Sequence, residues 1–154
     1  MILVTVGTEQ FPFNRLMLWI KVLLERELID EKIVVQYGSC SILPLGIESF
    51  SKLPPPQFQE IVQKARLVIG HCGEGTVLLL TQIFKPYILV PRTCLYGEHL
   101  DDHQIELGVA LEQKNIPIAW SPGDLVRFIA SPRYVPIPRF KSEFVCKDLK
   151  KRFS

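Results

Sequence analysis

The chain has 154 residues, 47% of them hydrophobic and 22% charged, with a mean hydropathy of +0.19. That is one domain's length, enough to bury about two-thirds of the extended-chain surface, and the apolar content excludes a disordered chain. Eighteen basic residues against sixteen acidic ones leave a formal charge of +2, too small for a nucleic-acid footprint, and no apolar run reaches the roughly 18 residues of a membrane span.

The N-terminus, MILVTVGTEQ, has neither the basic region nor the small-residue cleavage site of a secretory signal, so a cytoplasmic location is expected. Ile2 to Val6 is an apolar, β-branched run, the form of a strand buried on both faces, and Gly7-Thr8 breaks it. Pro12 to Arg26 carries Leu16, Ile20, Leu23 and Leu24 at helical spacing. Ile33 to Gln36 reads as a second strand and Ile47 to Phe50 as a weaker third. Pro56 to Lys64 reads as a helix opened by prolines, and Leu67 to Gly70 as the fourth strand.

A turn, His71-Cys72-Gly73-Glu74-Gly75-Thr76, leads into a buried helix that starts at or near Thr76 and runs to Ile83. Tyr87 to Val90 is the fifth strand, Asp101 to Lys114 a long helix, Pro117 to Trp120 a sixth strand and Asp124 to Ala130 a short helix. Such alternation with apolar strands predicts an α/β fold, a Rossmann-like parallel sheet with helices on both faces. Residues 1–138 form the domain in this reading, and 139–154 a basic C-terminal tail or helix. From Arg139 to Arg152 there are six basic residues against two acidic ones, which suits a solvated tail, an acidic partner or an anionic bilayer surface. Cys40, Cys72, Cys94 and Cys146 show no CxxC spacing, so reduced thiols are expected.

Ligands of parallel sheets bind beyond the carboxyl ends of the strands, and three such loops hold the unusual residues. In the first, Gly7 and Thr8 offer close backbone approach and a hydroxyl donor to an anion. In the second, Gly73, Glu74, Gly75 and Thr76 follow a buried strand and open a helix, whose N–H groups and positive end suit a diphosphate. Glu74 would accept hydroxyls of an attached sugar, or else Glu74 or Thr76 caps the helix.

The third loop, RTCLYGEHLDDHQ, holds Arg92, Glu98, His99, Asp101, Asp102, His103 and Gln104. Asp101 or Asp102 could cap the following helix. His99 and His103 share a helical face if the helix begins early, but no third metal ligand stands at a familiar spacing, so no metal is assigned. A hydrogen-bonding cluster for sugar hydroxyls fits this loop better. No Ser-His-Asp order, carboxylate pair or reactive cysteine is evident.

The blocks VTVGTEQFPFNRL, VQYGS, HCGEGTVLLL and PR…YGEHLDDHQIELG resemble the small glycosyltransferase subunits of bacterial exopolysaccharide and capsule synthesis. Those are relatives of the catalytic subunit of the dolichol-linked chitobiose N-acetylglucosaminyltransferase. Both resemble the C-terminal, donor-binding half of the peptidoglycan N-acetylglucosaminyltransferase, a GT-B enzyme of family 28. The resemblance covers roughly residues 1 to 120. It implies a UDP-sugar-binding half of an inverting, metal-independent hexosyltransferase that is active only with a separate, membrane-associated acceptor-binding subunit.

The UDP-sugar is then a substrate, no cofactor is expected, and the acceptor is a lipid-linked saccharide. The chain would lie at the inner face of the membrane through its partner. The resemblance places Gly7, Thr8, Gly73, Glu74, Gly75 and Thr76 at the diphosphate and ribose, and His103 and Gln104 at the donor sugar. From the loops themselves, His71 and Arg92 join the first group and Glu98, His99 and Asp102 the second. Leu79 stands where the peptidoglycan enzyme has its ribose-binding glutamate, and Glu74 is the possible substitute. The catalytic base is expected on the partner chain, with His71 the candidate within this one. A non-catalytic activator of a partner transferase is the alternative function, and a free-standing flavodoxin-like nucleotide module a more distant one.

Overall fold

Four-residue β-branched runs are too short to hide their backbone alone, and each pairs in parallel with its neighbours in one five-stranded sheet. In this computed structural model, which describes residues 1–137, the strands are β1 (Ile2–Thr5), β2 (Ile33–Gln36), β3 (Glu48–Phe50), β4 (Leu67–His71) and β5 (Tyr87–Val90). Their order is β3-β2-β1-β4-β5. Ile2 faces Ile33 on one side and Leu67 on the other, so β1 is the central strand. The order reverses between β1 and β4, and there the connecting segments diverge and leave a crevice.

Because successive side chains alternate across a strand, the sheet feeds two cores. Ile2, Val4, Ile33, Val35, Leu67, Ile69, Ile88 and Val90 face one side. That side is covered by α1 (Asn14–Glu25), through Leu16, Met17, Ile20 and Leu23, and by α5 (Pro122–Ala130), through Leu125 and Ile129. Leu3, Val34, Val68 and Leu89 face the other side. They pack under α2 (Pro55–Lys64), α3 (Glu74–Thr81) and α4 (His103–Glu112), through Val62, Val77, Leu80, Leu107 and Leu111. The expected α/β architecture, with helices on both faces of a parallel sheet, is therefore the observed one.

Some expectations differ in detail, among them the start of the last helix, at Pro122 instead of Asp124. Pro117–Trp120 is not a full strand: a single parallel bridge joins Ile118 to Leu89, because one register position is all this segment offers to the exposed edge of β5. The helix expected from Asp101 starts at His103. The helix expected to start at or near Thr76 and run to Ile83 spans Glu74–Thr81. The tail 139–154, with the basic stretch Arg139 to Arg152 and Cys146, lies outside the described residues. Among the described residues no helix is long and apolar enough to cross a membrane.

Candidate functional site

The crevice at the switch point is a cleft of about 380 Å³. Gly7, Thr8 and Glu9 after β1, Gln36 at the end of β2, and His71, Gly73, Glu74, Gly75 and Thr76 after β4 line it. Leu53, Pro55, Phe58 and Leu79 form its apolar side. The first two predicted loops therefore meet in one wall. Gln36 was missed by sequence reasoning, as were Leu53, Pro55 and Phe58. The available signal was a polar residue closing an otherwise apolar strand beside the switch point. Its amide donates to Thr5 Oγ1 at 3.0 Å and accepts from the Leu53 N–H at 3.0 Å, which ties the apolar side to the sheet.

α3 begins at the cleft with Gly73 as its N-cap residue, so neither Glu74 nor Thr76 stands at the capping position. A glycine has no side chain with which to cap, so the helix end turns its first-turn N–H groups and its positive dipole end toward the cleft. Val77 N–H closes the first helical bond to Gly73 at 3.0 Å. Glu74 is exposed in the first turn, and Thr76 is buried.

His71 fills the floor. A Cβ on Gly7, whose φ is +74°, would stand 2.5 Å from His71 Nε2, and one on Gly73 would stand 2.5 Å from His71 Cε1. The imidazole edge is thus clasped between two glycine turns, and any side chain at either position would displace it. Its other nitrogen, Nδ1, accepts from Arg92 Nε–H at 3.2 Å, and Gln104 Nε2 lies 3.2 Å from the same atom. Burial, then the Arg92 charge, then His99, push the His71 pKa down from 6.5 to about 3. The ring is neutral, and with Nδ1 serving as acceptor its proton sits on Nε2.

The depressed pKa has a consequence for stability. The unfolded chain protonates this histidine near 6.5 and the folded chain only near 3. Between those values the unfolded state binds the extra proton, so stability falls as pH is lowered through that window, by up to about 1.4 kcal/mol per pH unit. Urea midpoints measured across the window should fall less steeply for His71→Gln than for the wild type. Parallel curves would remove His71 from the acid response.

The third loop is built differently from its expected role. Arg92 is fully buried behind His71 and does not line the cleft. Glu98 is 2% exposed; its carboxylate binds Arg15 of α1 at 2.9 Å through both oxygens and accepts from the Thr93 N–H at 3.0 Å. Gln104 is buried with both ends of its amide engaged. Asp102 does not cap α4 with its side chain; the carboxylate accepts from Thr93 Oγ1 and the Cys94 N–H, closing the turn that leads into a short 3₁₀ segment at Cys94–Tyr96. Asp101 instead accepts from the His103 N–H at 3.0 Å.

His99 precedes α4 and so shares no helical face with His103. Asp101 nevertheless lies between the two rings, 3.1 Å from His99 Nδ1 and 3.2 Å from His103 Nε2, and Glu9 sits 3.3 Å from His99 Nε2. Among the described residues no group of three or more His, Cys, Asp or Glu side chains is placed to hold a metal ion. Glu98, His99, Asp102, His103 and Gln104 thus lie outside the cleft lining, with His99 beside Glu9 of the first loop.

The switch point of the parallel sheet thus presents a glycine-clasped imidazole beside the N-terminus of α3. The solved structure of the glycosyltransferase SnogD from Streptomyces nogalater matches with 16% identity and a TM-score of 0.44 over 84% of this chain. The match spans 43% of that protein, less than half its length. No curated protein matches the chain. The model of the glycosyltransferase family 28 C-terminal domain matches residues 1–130, which is most of the chain and contains every residue of the cleft. The chain therefore belongs to the glycosyltransferase family 28 C-terminal domain family.

Proposed function

We propose that this chain is the UDP-sugar-binding subunit of a two-chain inverting hexosyltransferase that extends a lipid-linked saccharide in surface polysaccharide synthesis. The observation that carries this reading is the floor of the cleft. There a neutral His71 with its proton on Nε2 is held between Gly7 and Gly73, beside the N-terminus of α3. Behind it the buried Arg92 guanidinium bonds to main-chain carbonyls and an imidazole rather than to a carboxylate. Glu9 and Glu98 act on this buried cation without a direct bond, and an anionic ligand in the adjoining cleft would add to the compensation they supply. A nucleoside diphosphate meets this need, with the apolar side of Leu53, Pro55, Phe58 and Leu79 suited to the face of a planar base.

In this mechanism an acceptor hydroxyl attacks the anomeric carbon from the face opposite the diphosphate. The bond from that carbon to the diphosphate oxygen breaks, and the configuration inverts. Charge grows on the departing diphosphate, where the helix-end N–H groups, the Thr8 hydroxyl and His71 Nε2–H would donate to it. The acceptor proton needs a base. His71 does not suit that task, since its basic nitrogen is occupied by Arg92 and its pKa is far below neutrality. That supports placing the base, like the acceptor site, on a membrane-associated partner subunit, which would bring this chain to the inner face of the membrane.

Calorimetry of the full chain with UDP and a panel of UDP-sugars tests the reading, together with a transfer assay using a lipid-linked acceptor. Binding of UDP by the chain alone, with transfer only when the partner subunit is added, is the expected result. No affinity for UDP would overturn the donor-site assignment, and transfer by the purified chain alone would overturn the two-chain one.

A further inference from the structure

Arg92 connects the three loops that meet at the switch point. Its Nη1 donates to Phe11 O at 2.7 Å and to Glu98 O at 3.1 Å, its Nη2 donates to Val6 O, and its Nε donates to His71 Nδ1. The guanidinium also lies 5.0 Å from the centre of the Phe13 ring. Four of its N–H groups are therefore already directed at protein acceptors.

The Arg92 main-chain N–H donates to Gln104 Oε1 at 3.1 Å. That bond orients the amide so that its NH₂ end faces His71 Nδ1. Both groups at Nδ1 are then donors, and a proton on that nitrogen would have no acceptor to meet.

We infer that Arg92 and Gln104 are positioning residues, which act through His71 by pinning its ring as the Nε2–H tautomer against the cleft instead of touching the ligand themselves. The inference rests on the nucleotide-diphosphate reading of that cleft. It changes the roles expected from the sequence, where Arg92 met the diphosphate and Gln104 the donor sugar. A fixed Nε2–H gives the diphosphate a donor that does not depend on pH across the neutral range.

The charged and titratable groups acting on the ring are Arg92, from the loop after β5, and His99, from the loop before α4; Glu9 and Glu98 act on Arg92. Burial is the larger cause of the ring's low proton affinity and the Arg92 charge the next; without Arg92 the imidazole loses a neighbouring cation and a donor to Nδ1, so its affinity for protons rises from that depressed value. Gln104→Glu places a carboxylate at the same nitrogen in nearly the same volume. That change favours Nδ1–H when the ring is neutral, and imidazolium when it is not.

The test has two arms on the full chain. Nitrogen-15 NMR of the wild-type histidine rings should show His71 protonated at Nε2 and bare at Nδ1 throughout about pH 6 to 8. UDP affinity is then measured from about pH 5.5 to pH 8 for the wild type, Arg92→Met and Gln104→Glu, and expressed as variant-to-wild-type ratios so that the ligand's own titration cancels. Both variants should bind about tenfold more weakly near the upper limit, with the deficit shrinking toward the lower limit as His71 gains its proton.

A deficit of equal size at every pH would overturn the inference, because it would put Arg92 and Gln104 on the ligand. An Nδ1-protonated or charged His71 in the wild type at neutral pH would overturn it as well. The NMR arm needs neither variant to fold. If the wild type binds no UDP the nucleotide reading fails, while the ring spectrum still judges the positioning role separately.

Discussion

Replacing Gly75 with valine is expected to cost the chain about a hundredfold or more in UDP affinity, while circular dichroism and the unfolding midpoint stay close to wild type. Gly75 is in the first turn of α3 and lines the cleft, and apart from its chain neighbours and its own helix backbone nothing lies within 4 Å of the point where its Cβ would stand. The fold makes no demand for glycine there, and valine is no worse than glycine as a helix former. In the proposed reading that space is left for the ligand. A branched side chain would hold the diphosphate away from the helix-end N–H groups, and losing two charge-assisted hydrogen bonds accounts for a loss of this size. Gly73 cannot serve the same purpose, because its Cβ would collide with His71 and disturb the fold at once. Unchanged UDP affinity in Gly75→Val would remove the diphosphate from this turn.

Arg15→Met should destabilise the fold by about 3 kcal/mol, read as a lowered urea midpoint. Arg15 holds both carboxylate oxygens of Glu98 at 2.9 Å and donates to Pro91 O at 2.8 Å, and its guanidinium lies 4.8 Å from the Trp19 ring centre. Glu98 is almost fully buried, so the variant strands a carboxylate whose remaining partner is the Thr93 N–H. An unpaired charge in that position costs more than the pair contributes. Adding Glu98→Gln to Arg15→Met should therefore recover much of the loss, since a neutral amide carries no such charge. A double variant no more stable than Arg15→Met alone would show that the ion pair is not the source of the effect.

The sheet was legible because its signals are local. Ile33–Gln36 and Tyr87–Val90 appear in the structure with the bounds read from their apolar runs, since a parallel strand buried on both faces needs little beyond that pattern. The glycine turns after β1 and β4 were legible for a similar reason: glycine at a strand-to-helix junction reports a backbone requirement whatever surrounds it. Pro117–Trp120 was over-read because an apolar run does not reveal how much edge remains for it to pair with.

The third loop shows where such reading stops. Its polar residues announce a hydrogen-bonding cluster, and the cluster is there, but its partners come from distant parts of the chain. Glu98 turns away from the cleft because Arg15, 83 residues earlier, receives it. Arg92 lies behind His71 because carbonyls at Val6 and Phe11 accept its donors. Gln104 faces inward because it completes the ring of donors around His71.

The strands and the two glycine turns could be read from residue pattern over a few positions, and the family from blocks spread along most of the chain. Only the tertiary structure decided which polar side chains face the cleft and which support it. A buried charge goes wherever its carboxylate, carbonyl or imidazole partner stands, and those partners are brought together by packing rather than by proximity along the chain.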